Sequence, residues 1–227
     1  TGVSIPNYSI ISPPKDCAFP YSFGAYPMIP GISGGTHIRP ETDWSKFART
    51  LGNFLTTLHS IPSTNIHDLG VRERRPLECL QWLDQKAHIT KFINSLQDEN
   101  LSRNVQWFES KPPEPYSGRL RFTHADLSPE HILINPDDGA IIGIIDWEDA
   151  TIGDPVSDFV TLPFWIGWGN TQRVLDHYRL KIDKGFQERL EYASRILSLA
   201  WLYDESRRSD DLSLQKWYIS NVFKKIF

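Results

Sequence analysis

The sequence predicts an α+β fold, a mainly helical body with one small β-hairpin embedded in it and a few short strands in front. Three observations carry this. Apolar residues recur at helical spacing over 42–59 and again over 190–201. A strand–turn–strand pattern fills 132–145 between those two stretches. Residues 1–40 are crowded with turn formers.

In chain order, Pro6, Pro13, Pro14, Pro20, Pro27 and Pro30, with Gly31, Gly34 and Gly35, cut the first forty residues into short pieces. Tyr8-Ser9-Ile10-Ile11 and Tyr21-Ser22-Phe23-Gly24-Ala25-Tyr26 are rich in β-branched and aromatic side chains, so they read as one or two edge strands. They lead into a connector at Met28-Ile29-Pro30-Gly31. The first helix covers 42–59: Trp44, Phe47, Ala48, Leu51, Leu55 and Leu58 share one face, Thr42 or Asp43 can cap it, and Pro62 stops it. A second helical pattern opens near Pro76, an allowed first-turn proline, and runs through Leu77, Leu80, Trp82 or Leu83 and Ala87 toward Leu96. Lys111-Pro112-Pro113-Glu114-Pro115 is a loop, and Gly31-Ile32-Ser33-Gly34-Gly35 is expected to be a turn with no helix opening directly on it. Leu120-Arg121-Phe122-Thr123, Ile132-Leu133-Ile134-Asn135 and the apolar run 140–145 are strand-like, the last two joined by the turn Pro136-Asp137-Asp138-Gly139. From about Thr171 the chain turns helical, with Leu190, Ala193, Ile196, Leu197, Ala200 and Trp201 forming a buried stripe.

Composition narrows the function classes. A formal charge of −4 with no lysine or arginine run argues against nucleic acid as a partner. Cys17 and Cys79 are the only cysteines and make neither a metal-type pair nor a disulfide framework, so a reducing, cytoplasmic setting is expected. No apolar run reaches the roughly 20 residues of a membrane span. The opening Thr1-Gly2-Val3 has no initiator Met, so a chain cut from a longer one is expected.

The chemistry concentrates in Thr123-His124-Ala125-Asp126-Leu127-Ser128-Pro129-Glu130-His131 and Ile144-Ile145-Asp146-Trp147-Glu148. A histidine, an aspartate and a second histidine lie on one loop, and the hairpin that follows returns the chain so that Asp146 faces the same place. Phosphoryl transfer needs a carboxylate to orient a hydroxyl and accept its proton, and ligands for the magnesium that bridges nucleotide phosphates. Asp126 can supply the first; His131 and Asp146 can supply the second, although magnesium prefers oxygen.

The run His124 to His131 is similar, position for position, to the H-x-D-L-x-P-x-N catalytic loop of kinase-like enzymes, with His131 in the asparagine slot. Ile145-Asp146-Trp147-Glu148 resembles the I-D-W/F-x counterpart of the protein-kinase D-F-G. Gly153-Asp154-Pro155 with Asp158 resembles a G-D-P-x-x-D segment, and Leu58-His59-Ser60-Ile61-Pro62 matches an L-H-x-I-P helix end. On these segments the chain resembles the aminoglycoside/macrolide phosphotransferase family, kinase-like small-molecule phosphotransferases that include members with histidine in that slot. The likeness spans roughly residues 20 to 205.

The resemblance implies a protein-kinase-like fold, with 1–31 as a remnant of the N-terminal lobe and the hinge, and 32–227 as the helical C-terminal lobe. It implies Asp126 as catalytic base, His131 and Asp146 as Mg2+ ligands, and His124 and Asp158 as structural supports of the loop. Tyr26, Met28 and Ile29 become the hinge that receives the base of ATP or GTP. Glu148, Trp201, Asp204 and Glu205 become candidates for contact with a small-molecule substrate, an aminoglycoside or macrolide antibiotic; Trp165 and Trp168 are a second option, and core packing or a solvated helix surface is the competing reading for all of them. A glycine-rich phosphate loop and a strand lysine are absent, so impaired turnover is expected of this chain alone. Two other classes stand beside this one. A metal-dependent hydrolase would use His124, Asp126, His131 and Asp146, but His37, His59, His67, His88 and His177 add no ligand-like spacing. A catalytically impaired binding remnant is the other.

Overall fold

The computed structural model describes residues 2–13, 21–37, 43–74 and 83–223. Cys17 and Cys79, and the expected helix start near Pro76, lie outside these.

Strands β1 (Ser9–Ile11) and β2 (Phe23–Ala25) pair antiparallel, Ser9 opposite Ala25, as the sequence predicts. Strand β3 (Ile32–Ser33) and a four-residue helical turn α1 (Gly34–His37) follow, where only a turn was expected. The backbone of β3 finds partners on the hairpin strand β5 (Ile132–Ile134), which removes the need for a solvated loop there. Glycine makes the approach possible: Gly31 has φ +139, and a Cβ on Gly34 would lie 2.8 Å from the Trp165 ring.

Helix α2 (Trp44–Ser60) matches the predicted span. The Asp43 carboxylate caps it by accepting from the Ser45 and Lys46 amides, and it buries Phe47, Ala48, Leu51, Leu55 and Leu58. Beyond the short helix α3 (Ser63–His67), helix α4 (Lys86–Ser95) ends before Gln97, whose φ of 54 breaks the run. Two short helices, α5 (Glu99–Asn104) and α6 (Gln106–Glu109), precede the proline loop.

Strand β4 (Arg121–Thr123) pairs not with the hairpin but with β7 (Thr151–Gly153), a strand the sequence does not announce. The hairpin is β5 with β6 (Ile141–Ile144), giving the order β3-β5-β6. Ser4 lies along the other edge of β6, its amide donating to the Ile142 carbonyl at 2.8 Å and its carbonyl accepting from the Ile144 amide at 2.9 Å. The C-terminal helices are α7 (Leu162–Trp165), α8 (Gly167–His177), α9 (Phe186–Glu205) and α10 (Ser213–Phe223). The helical return thus begins at Leu162, earlier than Thr171, and is interrupted at 178–185.

One core packs α2, the hairpin and α7–α9 through Leu51, Leu55, Ile132, Ile144, Phe159 and Phe164; a second joins α4–α6 to α9 and α10 through Ile89, Ile93, Phe108, Ile196 and Ile219. Helix α9 belongs to both, which explains its length and its nearly encircling burial. Helices α2 and α8 meet at Gly52, where a Cβ would come within 2.5 Å of the Val174 carbonyl oxygen. Among the described residues no helix is long and apolar enough to cross a membrane.

Candidate active site

Strand β4 delivers the chain into a loop that turns sharply at Ala125, whose φ of 68 is a conformation L-residues seldom adopt. Asp158 holds that turn. Its carboxylate is fully buried and accepts from the His124 amide (3.0 Å), the Ala125 amide (2.7 Å) and the His59 ring (2.9 Å). Burial alone would raise the Asp158 carboxyl; the His59 hydrogen bond and charge, the His124 ring and the Ala125 amide together hold it below its ordinary range. His59 is held at both ring nitrogens, with Nε2 on Asp158 and Nδ1 2.8 Å from the Tyr178 hydroxyl.

Two further histidines clamp the backbone of Asp126. The Asp126 amide donates to His124 Nδ1 at 3.3 Å, while His124 Nε2 donates to the Ile145 carbonyl at 2.9 Å. His131, at the end of the 3-10 turn Pro129–His131, donates from Nδ1 to the Asp126 carbonyl at 2.8 Å. Its Nδ1 also lies 3.4 Å from Asp126 Oδ2, and its Nε2 lies 3.2 Å from Asp146 Oδ2. The hairpin therefore brings Asp126, His131 and Asp146 to one place, and the Ile145 amide bonded to the His131 carbonyl (3.0 Å) pins its far end there. Asp146 sits at φ 63. The two aspartate side chains are about half exposed, at 43% and 45%, so a ligand can reach both. Burial pushes the Asp126 carboxyl up; the His131 and His124 rings oppose the rise, and Asp149 and Asp146 add to it. The result is a stronger base than an ordinary aspartate.

A pair of donors 3.2 Å apart suits neighbouring positions on an octahedral ion, where bonds of about 2.1 Å put adjacent ligands about 3 Å apart. His131 and Asp146 therefore fit a divalent cation. Among the described residues there is no group of three or more His, Cys, Asp or Glu able to hold a metal. A metal-dependent hydrolase would need such a group, so that alternative finds no support.

The remaining predicted residues differ in exposure and partners. In the connector, Met28 is 88% exposed and Tyr26 stacks edge-on against Tyr8, while Ile29 covers Gly143 of the hairpin. Glu148 is exposed near Asp146 in sequence. Trp201 packs edge-on against Phe164, Asp204 is tied to Arg208 one turn on at 2.9 Å, and Glu205 is half-buried at the end of α9. Trp165 is buried against Phe47, and Trp168 donates to the Val222 carbonyl. Asp154 is buried, caps the 3-10 turn Pro155–Phe159 by accepting from the Val156 amide, and is bonded to Arg189 at 2.7 Å. Although burial pulls the Arg189 guanidinium down, hydrogen bonds to Asp183 and Asp154 hold it above its ordinary value. Sequence reasoning missed Asp149, which acts on Asp126 and pairs with Arg74 at 3.4 Å, and Tyr178 behind His59. Neither stands in a motif; their partners lie 75 and 119 residues away.

A buried aspartate bracing a strained loop, with a carboxylate and a histidine–aspartate pair on a returning hairpin, defines a kinase-like phosphotransferase architecture. The model of the phosphotransferase enzyme family matches residues 10–193, and the chain belongs to that family. It is 28% identical over 167 residues to the uncharacterized protein YcbJ of Bacillus subtilis (strain 168), which covers 68% of this chain and 53% of the Bacillus protein. It is 24% identical over 136 residues to acyl-CoA dehydrogenase family member 10 of Mus musculus, 58% of this chain but 11% of that protein. The chain thus spans about half, or much less, of the curated relatives it matches. Among solved structures, the GDP complex of wild-type aminoglycoside 2'-phosphotransferase-IIIa superposes with a TM-score of 0.65 at 23% identity, over 97% of this chain and 77% of that one. Macrolide 2'-phosphotransferase MphH from Brachybacterium faecium gives a TM-score of 0.59 at 19% identity, over 98% and 74%. These two share the kinase-like fold.

Proposed function

We propose that this protein moves the γ-phosphate of ATP or GTP to a hydroxyl of a small molecule, an aminoglycoside-like or macrolide antibiotic. The observation that carries the reading is the convergence of Asp126, His131 and Asp146 on a loop held by a buried carboxylate. Asp126 orients the acceptor hydroxyl and takes its proton as the new P–O bond forms. His131 and Asp146 would hold Mg2+, which when bound supplies charge neutralisation for the nucleotide phosphates. His124 and Asp158 position the loop without touching substrate. Residues 1–31 supply the lobe remnant and hinge, where backbone groups at Tyr26, Met28 and Ile29 receive the base, and 32–227 form the helical lobe. Solved neighbours were captured with GDP and, for a spectinomycin phosphotransferase, with ADP and spectinomycin, which supports a nucleotide donor and a small acceptor. Glu148, Trp201, Asp204 and Glu205 are the residues that would meet a cationic acceptor. The reaction belongs in the cytoplasm, where the nucleotide is.

The test is transfer of labelled γ-phosphate from ATP and from GTP to a panel of aminoglycosides and macrolides, a readout that detects slow turnover. Slow turnover is expected here, since the 227 residues include no glycine-rich phosphate loop and no strand lysine. Asp126→Asn should lower transfer about 10²–10⁴-fold, the size of a lost general base. Labelled product from the variant at the unaltered rate would end the reading.

A further inference from the structure

We infer that the cation position between His131 and Asp146 favours Mn2+ over Mg2+; this rests on the reading above that these two residues hold a divalent ion. The argument starts from hydrogen-bond direction. His131 Nδ1 is 2.8 Å from the Asp126 carbonyl oxygen, which can only accept, so Nδ1 carries the hydrogen. In the neutral ring the lone pair is then on Nε2, and that atom faces Asp146 Oδ2 at 3.2 Å. With Nδ1 donating, Nε2 is the ring atom that can offer its lone pair to a cation held by Asp146.

The placement is preset. His131 is held through its Nδ1–H and through its carbonyl, which accepts from the Ile145 amide at 3.0 Å, one residue before Asp146. The ring is only 18% exposed, so little room remains for it to swing away and leave a water in its place. His124 does not compete as a ligand, because its Nε2–H is committed to the Ile145 carbonyl and its Nδ1 to the Asp126 amide. The protein therefore offers one nitrogen and one carboxylate oxygen. Mg2+ is a hard ion that seeks oxygen, whereas Mn2+ accepts the same octahedral mixture with imidazole nitrogen in it.

The experiment uses the unaltered chain and Mn2+ itself. The solution EPR signal of free Mn2+ is followed as protein is added, and Mg2+ is then titrated in. Half-displacement is expected only at about a tenfold or greater excess of Mg2+, and pulsed EPR of the bound ion should show a coupling to one imidazole nitrogen. In His131→Asn the nitrogen coupling should vanish and the Mg2+ excess should fall toward parity. Displacement at equal concentrations, or bound Mn2+ without nitrogen coupling, overturns the preference while leaving the phosphotransferase reading intact. Failure of either ion to bind overturns the preference and the metal role together. The nitrogen coupling is read on the unaltered chain, so it decides the matter even if the variant does not fold.

Discussion

The loop around Asp126 and the β1–β2 hairpin are both short, irregular stretches of chain, yet they are built in opposite ways. Around Asp126 the backbone is tied to buried side chains: Asp158, His59, His124 and Thr123 are all fully buried. On the hairpin and the residues flanking it, Ile10 is 74% exposed, Tyr21 68% and Met28 88%. The first region can hold a residue at an unfavourable φ because its surroundings leave no alternative. The second leaves apolar side chains in solvent, and its local order comes mostly from backbone pairing. Positional accuracy in this molecule therefore sits with buried polar groups at the site, not with sheet formation.

Substitutions can break or sharpen that contrast. The largest effect is expected from Asp158→Ala, which strips three donors of a buried acceptor: about 3–5 kcal/mol in urea denaturation. Its pH dependence has a definite sign. A carboxyl held below its ordinary range stabilises above that range, and the contribution disappears as pH falls through the depressed folded value. Stability of the unaltered chain should therefore drop in acid more steeply than that of Asp158→Asn. Next comes Ile144→Ala, which opens a void in β6 where exposure is zero and should cost about 2–5 kcal/mol in the same assay. Gly52→Ala forces a methyl against the Val174 carbonyl and should cost about 1–3 kcal/mol through a shift of α2 from α8. Tyr178→Phe removes one buried hydrogen bond to His59, worth about 1 kcal/mol. Smallest is Ile10→Ala, within about 0.5 kcal/mol; a loss as large as that of Ile144→Ala would erase the distinction between the regions.

What could be read from the sequence follows the same division. Helix α2, the hairpin and the Asp126–His131–Asp146 grouping were legible because each depends on residues close in sequence: a capping aspartate, a strand–turn–strand pattern, a loop motif. Strand β7 was not, because Thr151-Ile152-Gly153 is too short to show alternation and exists only through pairing with β4. The short turn at Gly34 was hidden for a similar reason, since the β3–β5 pairing that supports it joins residues a hundred positions apart. Asp149 and Tyr178 carry no local pattern at all. Their significance arises from proximity that only the folded chain creates. The aromatic residues near 201 illustrate the converse: Trp201 packs edge-on against Phe164, on a helical stripe in which core packing and pocket lining look alike in sequence.

The two histidines that grip the amide and the carbonyl of residue 126 leave its side chain as the sole replaceable part. A neutral amide there would inherit the mount unchanged. Such a variant is suited to serve as bait: it should retain whichever acceptor it meets, bound beside nucleotide and unconverted, long enough for mass spectrometry to identify the molecule.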